Sequence, residues 1–239
     1  SARLTPSASL TPSTVYRATI KGGTADPTIK DTAGNRLAAD VTWTFTTASG
    51  PACPCTIWAP SATPVNQTDN DPNAVELGVR FRADLDGFIT GVRFWKGPQN
   101  TGTHTGNLWT NSGSRMATAV FTGESATGWQ QVTFSSPVAV TAGTTYVASY
   151  HTTSGMYPGD NNYFASAGVD RAPLHALANG VDGLNGLYAY SSTSVFPSSS
   201  WQSSNYWVDV AFSTVAPPDT SPPTVTTTSP LSAATGVPR

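Results

Sequence analysis

Apolar residues recur at every second position over short runs, and turn residues cut each run before it can extend. In Val75 to Phe81 (VELGVRF), Val75, Leu77, Val79 and Phe81 fall on one side and Glu76, Gly78 and Arg80 on the other. Tyr206 to Phe212 repeats the pattern, with Tyr206, Val208, Val210 and Phe212 opposed to Trp207, Asp209 and Ala211. A period of two is that of a pleated strand with one buried face. The spacing predicts strands at 75–81, 87–95, 106–109, 117–122, 129–134, 145–151 and 206–212, with less regular chain between 155 and 204. No stretch carries a clear 3.6-residue period, and only Pro173 to Ala178 (PLHALA) hints at a helical turn. The expected fold class is all-β, an antiparallel β-sandwich or jelly roll.

Charge narrows the function classes. Twelve Lys and Arg stand against fourteen Asp and Glu, a formal charge of -2, and no clustered basic face exists for a nucleic-acid backbone. No apolar run is long enough for a membrane span, and no charged-then-apolar leader opens the chain. Starting at Ser1 rather than Met and stopping at Arg239, it reads as an excerpt. Cys53 and Cys55 flank Pro54. A local disulfide at a domain junction is the first reading, free thiols the second, and a metal site the third because no further Cys or His stands close by.

Residues 1–48 alternate at Thr14 to Ile20 (TVYRATI) and again at Val41 to Phe45 (VTWTF), around a turn-rich connection at Gly34 and Asn35. The run KDTAGNRLAADVTWTFTT resembles the closing half of bacterial Ig-like domains of the S-layer type. Only that half is present, so the resemblance implies an incomplete Ig-like sandwich with exposed edges. Residues 49–55 read as a linker carrying Cys-Pro-Cys. Residues 215–224 form a proline-rich linker, and SPLSAATGVP, within 225–239, resembles the start of a further Ig-like domain.

Between these pieces, residues 56–214 form one expected sandwich domain. ELGVRFRADLDGFITGVRFWKGPQNTGTHTGNLWT, FTGESATGWQQVTFSSPVAVTAGTTYVASYHT, GVDRAPLHAL and SNYWVDVAF resemble, in that order, the bacterial domain of unknown function 4082. The resemblance implies a place in a large secreted or surface-attached bacterial protein, where such domains sometimes stand beside Ig-like repeats or enzymatic domains. It brings no catalytic residues with it.

Two carboxylate groups are candidate cation sites. Glu76 and Asp209 lie on the polar sides of the first and last long strands, which often lie close in a jelly roll. Meeting, they would call for a cation such as calcium; the ordinary alternative is that each pairs with Arg80, Arg82 or Arg93. Asp69 and Asp71 crowd the loop QTDNDPNA, where calcium ligation competes with plain turn capping.

The aromatic and histidine candidates concern a ligand. Gly91 to Thr110 opens as a strand, breaks at PQNTGTHTG and resumes at Leu108, offering Trp95, His104 and Trp109 around a polar loop. His151 follows the strand TTYVASY, and Tyr157, Tyr163 and Trp201 sit among Ser, Asn, Gly and Asp. A ring in such a loop either stacks on a sugar or plugs the loop into the core. GxSxG is absent and no His pair has metal spacing. The expectation is a non-catalytic module, not an enzyme, that binds polysaccharide or another glycan on a secreted or cell-surface protein. The alternatives are a structural or adhesin spacer with a protein partner and, behind it, a hydrolase.

Overall fold

The computed structural model describes residues 6, 10, 14–47 and 53–215. The expected linker beyond Val215 and the expected Ig-like start at 225–239 lie outside the described residues. The chain divides into two compact units, Ser1–Ala52 and Cys53–Arg239.

In the first unit β1 (Val15–Ile20) and β2 (Val41–Thr46) pair antiparallel, from Val15 opposite Thr46 to Ile20 opposite Val41. The connection is turned by Asp31, whose carboxylate accepts from the Ala33 and Asn35 N–H groups at 2.9 and 2.8 Å. Two strands cannot cover their own apolar side chains, and Val15, Val41, Trp43 and Phe45 are exposed, Trp43 by 44%.

The second unit carries β3 (Val75–Ala83), β4 (Gly87–Lys96), β5 (His104–Thr110), β6 (Arg115–Val120), β7 (Gly128–Val140), β8 (Tyr146–Thr152), β9 (Val169–Arg171), β10 (Leu174–Ala176), β11 (Leu187–Tyr190), β12 (Ser199–Ser200) and β13 (Val208–Ser213). An eight-stranded sheet runs β12-β11-β3-β8-β5-β6, with β10 also on β3 and β9 on β10; a three-stranded sheet runs β13-β4-β7. The described strands pair antiparallel. The protein is an all-β sandwich, and its core is built by the alternation seen in the sequence. Val75, Leu77, Val79 and Phe81 of β3 meet Val92 and Phe94 of β4 and Val208, Val210 and Phe212 of β13. Phe94 stacks on Tyr150 at 4.2 Å and meets Phe121 edge-on at 4.9 Å, geometries that add about 1 kcal/mol per pair to the burial itself.

Three local expectations change. Pro173 to Ala178 is no helical turn: Leu174 and Ala176 are buried on a strand that pairs with both β3 and β9. An open edge on β3 overrides the local composition. β5 starts at His104, so this histidine stands on a strand rather than in the loop. β13 starts only at Val208 because Trp207 takes a left-handed φ of 55°. Cys53 and Cys55 are joined in a disulfide, the first reading of the sequence, with Cα atoms 4.5 Å apart, at the start of the second unit. Cys55 and Phe212 exchange N–H···O bonds of 2.8 and 2.9 Å.

Each sheet's outer face is covered by irregular chain. Over the three-stranded sheet, Trp58 packs with Trp129 and Trp207 at ring separations of 5.9–6.4 Å. Over the eight-stranded sheet, Phe196 meets Trp109 edge-on at 5.7 Å, and Pro197 sits so close to Gly78 that a side chain there would crowd it.

Candidate functional site

At β11 the eight-stranded sheet outruns its three-stranded partner, and loops rather than strands face it. Tyr188 and Tyr190 share one side of β11, opposite Leu77 and Val75 of β3. Loop residues Asp69 to Asn73, Tyr157, Asn161, Trp201 and Tyr206 join them around a cleft of about 430 Å³. Its rings are held in pairs: Tyr157 meets Tyr206 edge-on, and Tyr188 meets Tyr190 likewise, both at 5.6 Å. Two rings stay open to solvent, Trp201 at 59% and Tyr190 at 56% exposure.

Asp71 organises this wall. Its Oδ2 accepts from the Tyr157 and Tyr190 hydroxyls at 3.0 and 2.5 Å, and its Oδ1 from the Asn73 N–H and side-chain amide at 3.0 and 2.7 Å. Partial burial pushes the carboxyl up, but the donors from Tyr190, Asn73 and Tyr157 outweigh it and leave its pKa below the usual value. The same contact raises the Tyr190 hydroxyl. The Met156 N–H donates to the Asp71 carbonyl at 2.7 Å, which ties the 155–157 segment to this loop. Gly155 permits the approach, since its φ is 61° and a side chain there would strike the Asp71 carbonyl.

Strained backbone gathers at the cleft. Met156, Asn162, Gln202 and Ser203 have φ between 48° and 59°, and they flank Tyr157, Asn161 and Trp201. Each such residue costs roughly 1–3 kcal/mol, held by the packing around it.

A family profile described as a domain of unknown function, DUF4082, matches residues 61–208, well over half the chain and every residue of the cleft. The chain belongs to the DUF4082 family. A second profile, described as a bacterial Ig-like domain, matches residues 1–47 ahead of the DUF4082 domain. No curated protein matches the chain.

Within the DUF4082 domain the residues singled out in the sequence part company. Tyr157, Trp201, Asp69 and Asp71 all line the cleft. Tyr163 is partly exposed but is not in the cleft lining; its hydroxyl accepts from Trp58 Nε1 at 3.4 Å and its ring packs against Phe164 and Trp207. Trp95 is buried in the core, its N–H donating to the Trp207 carbonyl. Trp109 is buried on the outer face of β5 and donates to Ser149 Oγ at 2.7 Å. His151 is buried with Nε2 on the Ser191 carbonyl at 3.0 Å. His104 is wholly buried between Glu124 at 2.9 Å and Asn100 Oδ1 at 2.9 Å, and Phe94 packs on its ring. Burial lowers its pKa while Glu124 pulls it upward. The expected platform around Trp95, His104 and Trp109 is not a surface: all three side chains are buried, Trp95 on β4 between β7 and β13, and His104 and Trp109 on β5 between β6 and β8.

Glu76 and Asp209 do not meet, being on separate sheets. Glu76 projects from the outer face of the eight-stranded sheet and accepts from Ser149, Asn107 and Ser194. Asp209 projects from the outer face of the other sheet, where Arg93 lies 2.7 Å away and the Ile57 and Trp58 N–H groups donate to it. The arginine alternative holds for Asp209 but not for Glu76, which has no cationic partner among the described residues. No group of three or more His, Cys, Asp or Glu among the described residues is placed to hold a metal ion. No helix among them is long and apolar enough to cross a membrane. The cleft residues absent from the sequence-based candidates are chiefly Tyr188, Tyr190 and Tyr206. The two-residue spacing of tyrosines in LYAY was the available signal for Tyr188 and Tyr190.

Proposed function

We propose that the DUF4082 domain is a non-catalytic carbohydrate-binding module of a secreted or surface-attached multidomain bacterial protein, and that the Tyr190–Trp201 cleft receives the sugar. The observation that carries this reading is the pairing of two solvent-open rings with a polar wall. A sugar ring has apolar C–H faces and a rim of hydroxyls. Trp201 and Tyr190 offer flat apolar area, while Asp69, Asn70, Asn73 and Asn161 offer acceptors and amide donors beside it. Glycoside hydrolysis commonly uses two available carboxyl groups. Here Asp71 is engaged by two hydroxyls and an asparagine, which supports binding over catalysis. A pure spacer would have no use for a strained, aromatic-walled cleft.

Pull-down of the full chain on insoluble cellulose, xylan and chitin tests the reading. Retention on at least one polymer is expected, weakened about thirtyfold, or ~2 kcal/mol, by Trp201→Ala if this ring anchors the contact. Trp201 is exposed, so the unfolding midpoint should barely move. A chain that passes through every polymer unretained ends the proposal.

A further inference from the structure

The charge of the cleft narrows what sugar it takes. Its lining includes Asp69 and Asp71 and no Lys, Arg or His. Asp71 is spent within the protein, both oxygens bonded to Tyr157, Tyr190 and Asn73. Asp69 differs. Its N–H donates to the Tyr157 carbonyl at 2.7 Å, which fixes where the side chain leaves the loop, but its carboxylate has no hydrogen-bond or ion-pair partner among the described residues. Asp69 lines the cleft with Tyr206, whose hydroxyl pKa is raised first by burial and in small part by the charge of Asp69. An unpaired anion backed by a second, fixed anion attracts hydroxyl and amine donors and repels carboxylates.

Resting on the carbohydrate reading, we infer that the cleft selects glycans that carry no acidic groups, uncharged or amine-bearing, and turns away uronate polymers, with Asp69 as the selecting residue. The asparagines at 70, 73 and 161 suit such a ligand, since amides donate to and accept from hydroxyl and acetamido groups alike. A uronate would bring its carboxylate toward Asp69 with no cationic side chain in the lining to receive it. Both charges remain wet, so the discrimination is screened by salt.

Affinity electrophoresis of the full chain tests this, in gels containing glucomannan or xylan, partly deacetylated chitin, or polygalacturonate and alginate. Retardation by a neutral or amine-bearing polymer is expected, with the uronates weaker by about tenfold, the penalty for like charges meeting near a wet surface. Asp69→Asn should close most of that gap, and so should high salt, while the unfolding midpoint of the exposed substitution stays put. Uronates that retard the wild-type chain as strongly as neutral polymers overturn the inference and leave carbohydrate binding intact. An Asp69→Asn chain with unchanged preference overturns it as well. Retardation by none of the polymers, from a chain folded by its fluorescence, overturns the carbohydrate reading and this inference together.

Discussion

Glu76 and Asp209 are both wholly buried, each on the outer face of its sheet, and they are stabilised in opposite ways. Asp209 sits against Arg93, whose Nε and Nη2 lie 3.2 and 2.7 Å from the same carboxylate oxygen, and three backbone N–H groups, of Ile57, Trp58 and Val210, complete its shell. Burial raises its pKa, and the guanidinium followed by the N–H donors works against that rise. Glu76 has hydroxyls and an amide instead. Ser149, Ser194 and Asn107 stabilise its charged form, but desolvation exceeds them and pushes the carboxyl up to about 7. Equal burial thus produces an ion pair on one face and a carboxyl poised between its two forms on the other. What separates them is a single cation, and position in the sandwich decides which carboxylate receives it. Arg93 is opposite Asp209 across the β4–β13 ladder, whereas His151 is opposite Glu76 across β3–β8 and turns its Nε2 to Ser191.

The largest effect should come from deleting that cation. Arg93→Ala leaves Asp209 buried and uncompensated, and also removes the guanidinium from the Trp129 ring, 4.3 Å away, and from the Trp58 carbonyl. Loss of about 3–5 kcal/mol is expected in urea unfolding followed by tryptophan fluorescence. A loss under ~1 kcal/mol would mean that the N–H donors suffice, and the contrast between the two carboxylates would dissolve.

The contrast is sharpened by pH. The folded pKa of Glu76 is raised above its value of 4.5 in the unfolded chain, so below pH 4.5 both states are protonated and the full stability is present. As pH rises from 4.5 toward 7 the unfolded chain ionises first, and stability falls by roughly 3 kcal/mol before levelling above the folded value. Glu76→Gln keeps an acceptor and an amide in the same volume but cannot ionise. Its stability should therefore fall less across that interval, and the two pH profiles should diverge there. Parallel profiles would show that Glu76 ionises as readily folded as unfolded.

How much of this was legible in the sequence follows from the reach of each signal. Alternation at Val75 to Phe81 and Val208 to Phe212 marks which side chains enter the core, because the pleat enforces it within a strand. It also places Glu76 and Asp209 on outer faces. It says nothing of which sheet each strand joins, so it leaves open whether the two carboxylates meet or each pairs with an arginine. The cleft draws on four separated segments, at 69–73, 157–161, 188–190 and 201–206. Composition marked three of these segments, through Asp69, Asp71, Tyr157 and Trp201. Tyr188 and Tyr190 carried no such mark, because they fall in chain without a strand pattern and a tyrosine there reads as core until the facing sheet is known to be shorter. His104 was misplaced for a related reason: glycines and threonines around it read as a loop, whereas pairing on both edges extends β5 through it.

A weaker member of the same series lies at the surface. His175 has Asp84 2.7 Å from Nε2 and Asp170 2.7 Å from Nδ1, so here one ring meets two anions in partial contact with water. Partial burial lowers the His175 pKa, but the two carboxylates outweigh it and leave the pKa raised. The imidazolium therefore contributes stability that is complete below about 6.5, the unfolded value, and is lost as pH rises through the folded one. Because Asp170 is almost fully exposed, screening holds the contribution under ~1 kcal/mol. His175→Gln should remove this small decline, and 1 M salt should shrink it in the wild-type chain. The Arg93–Asp209 pair, shielded from ions, should respond far less to the same salt. A salt response as large at Arg93 as at His175 would mean that burial does not set the strength of these pairs.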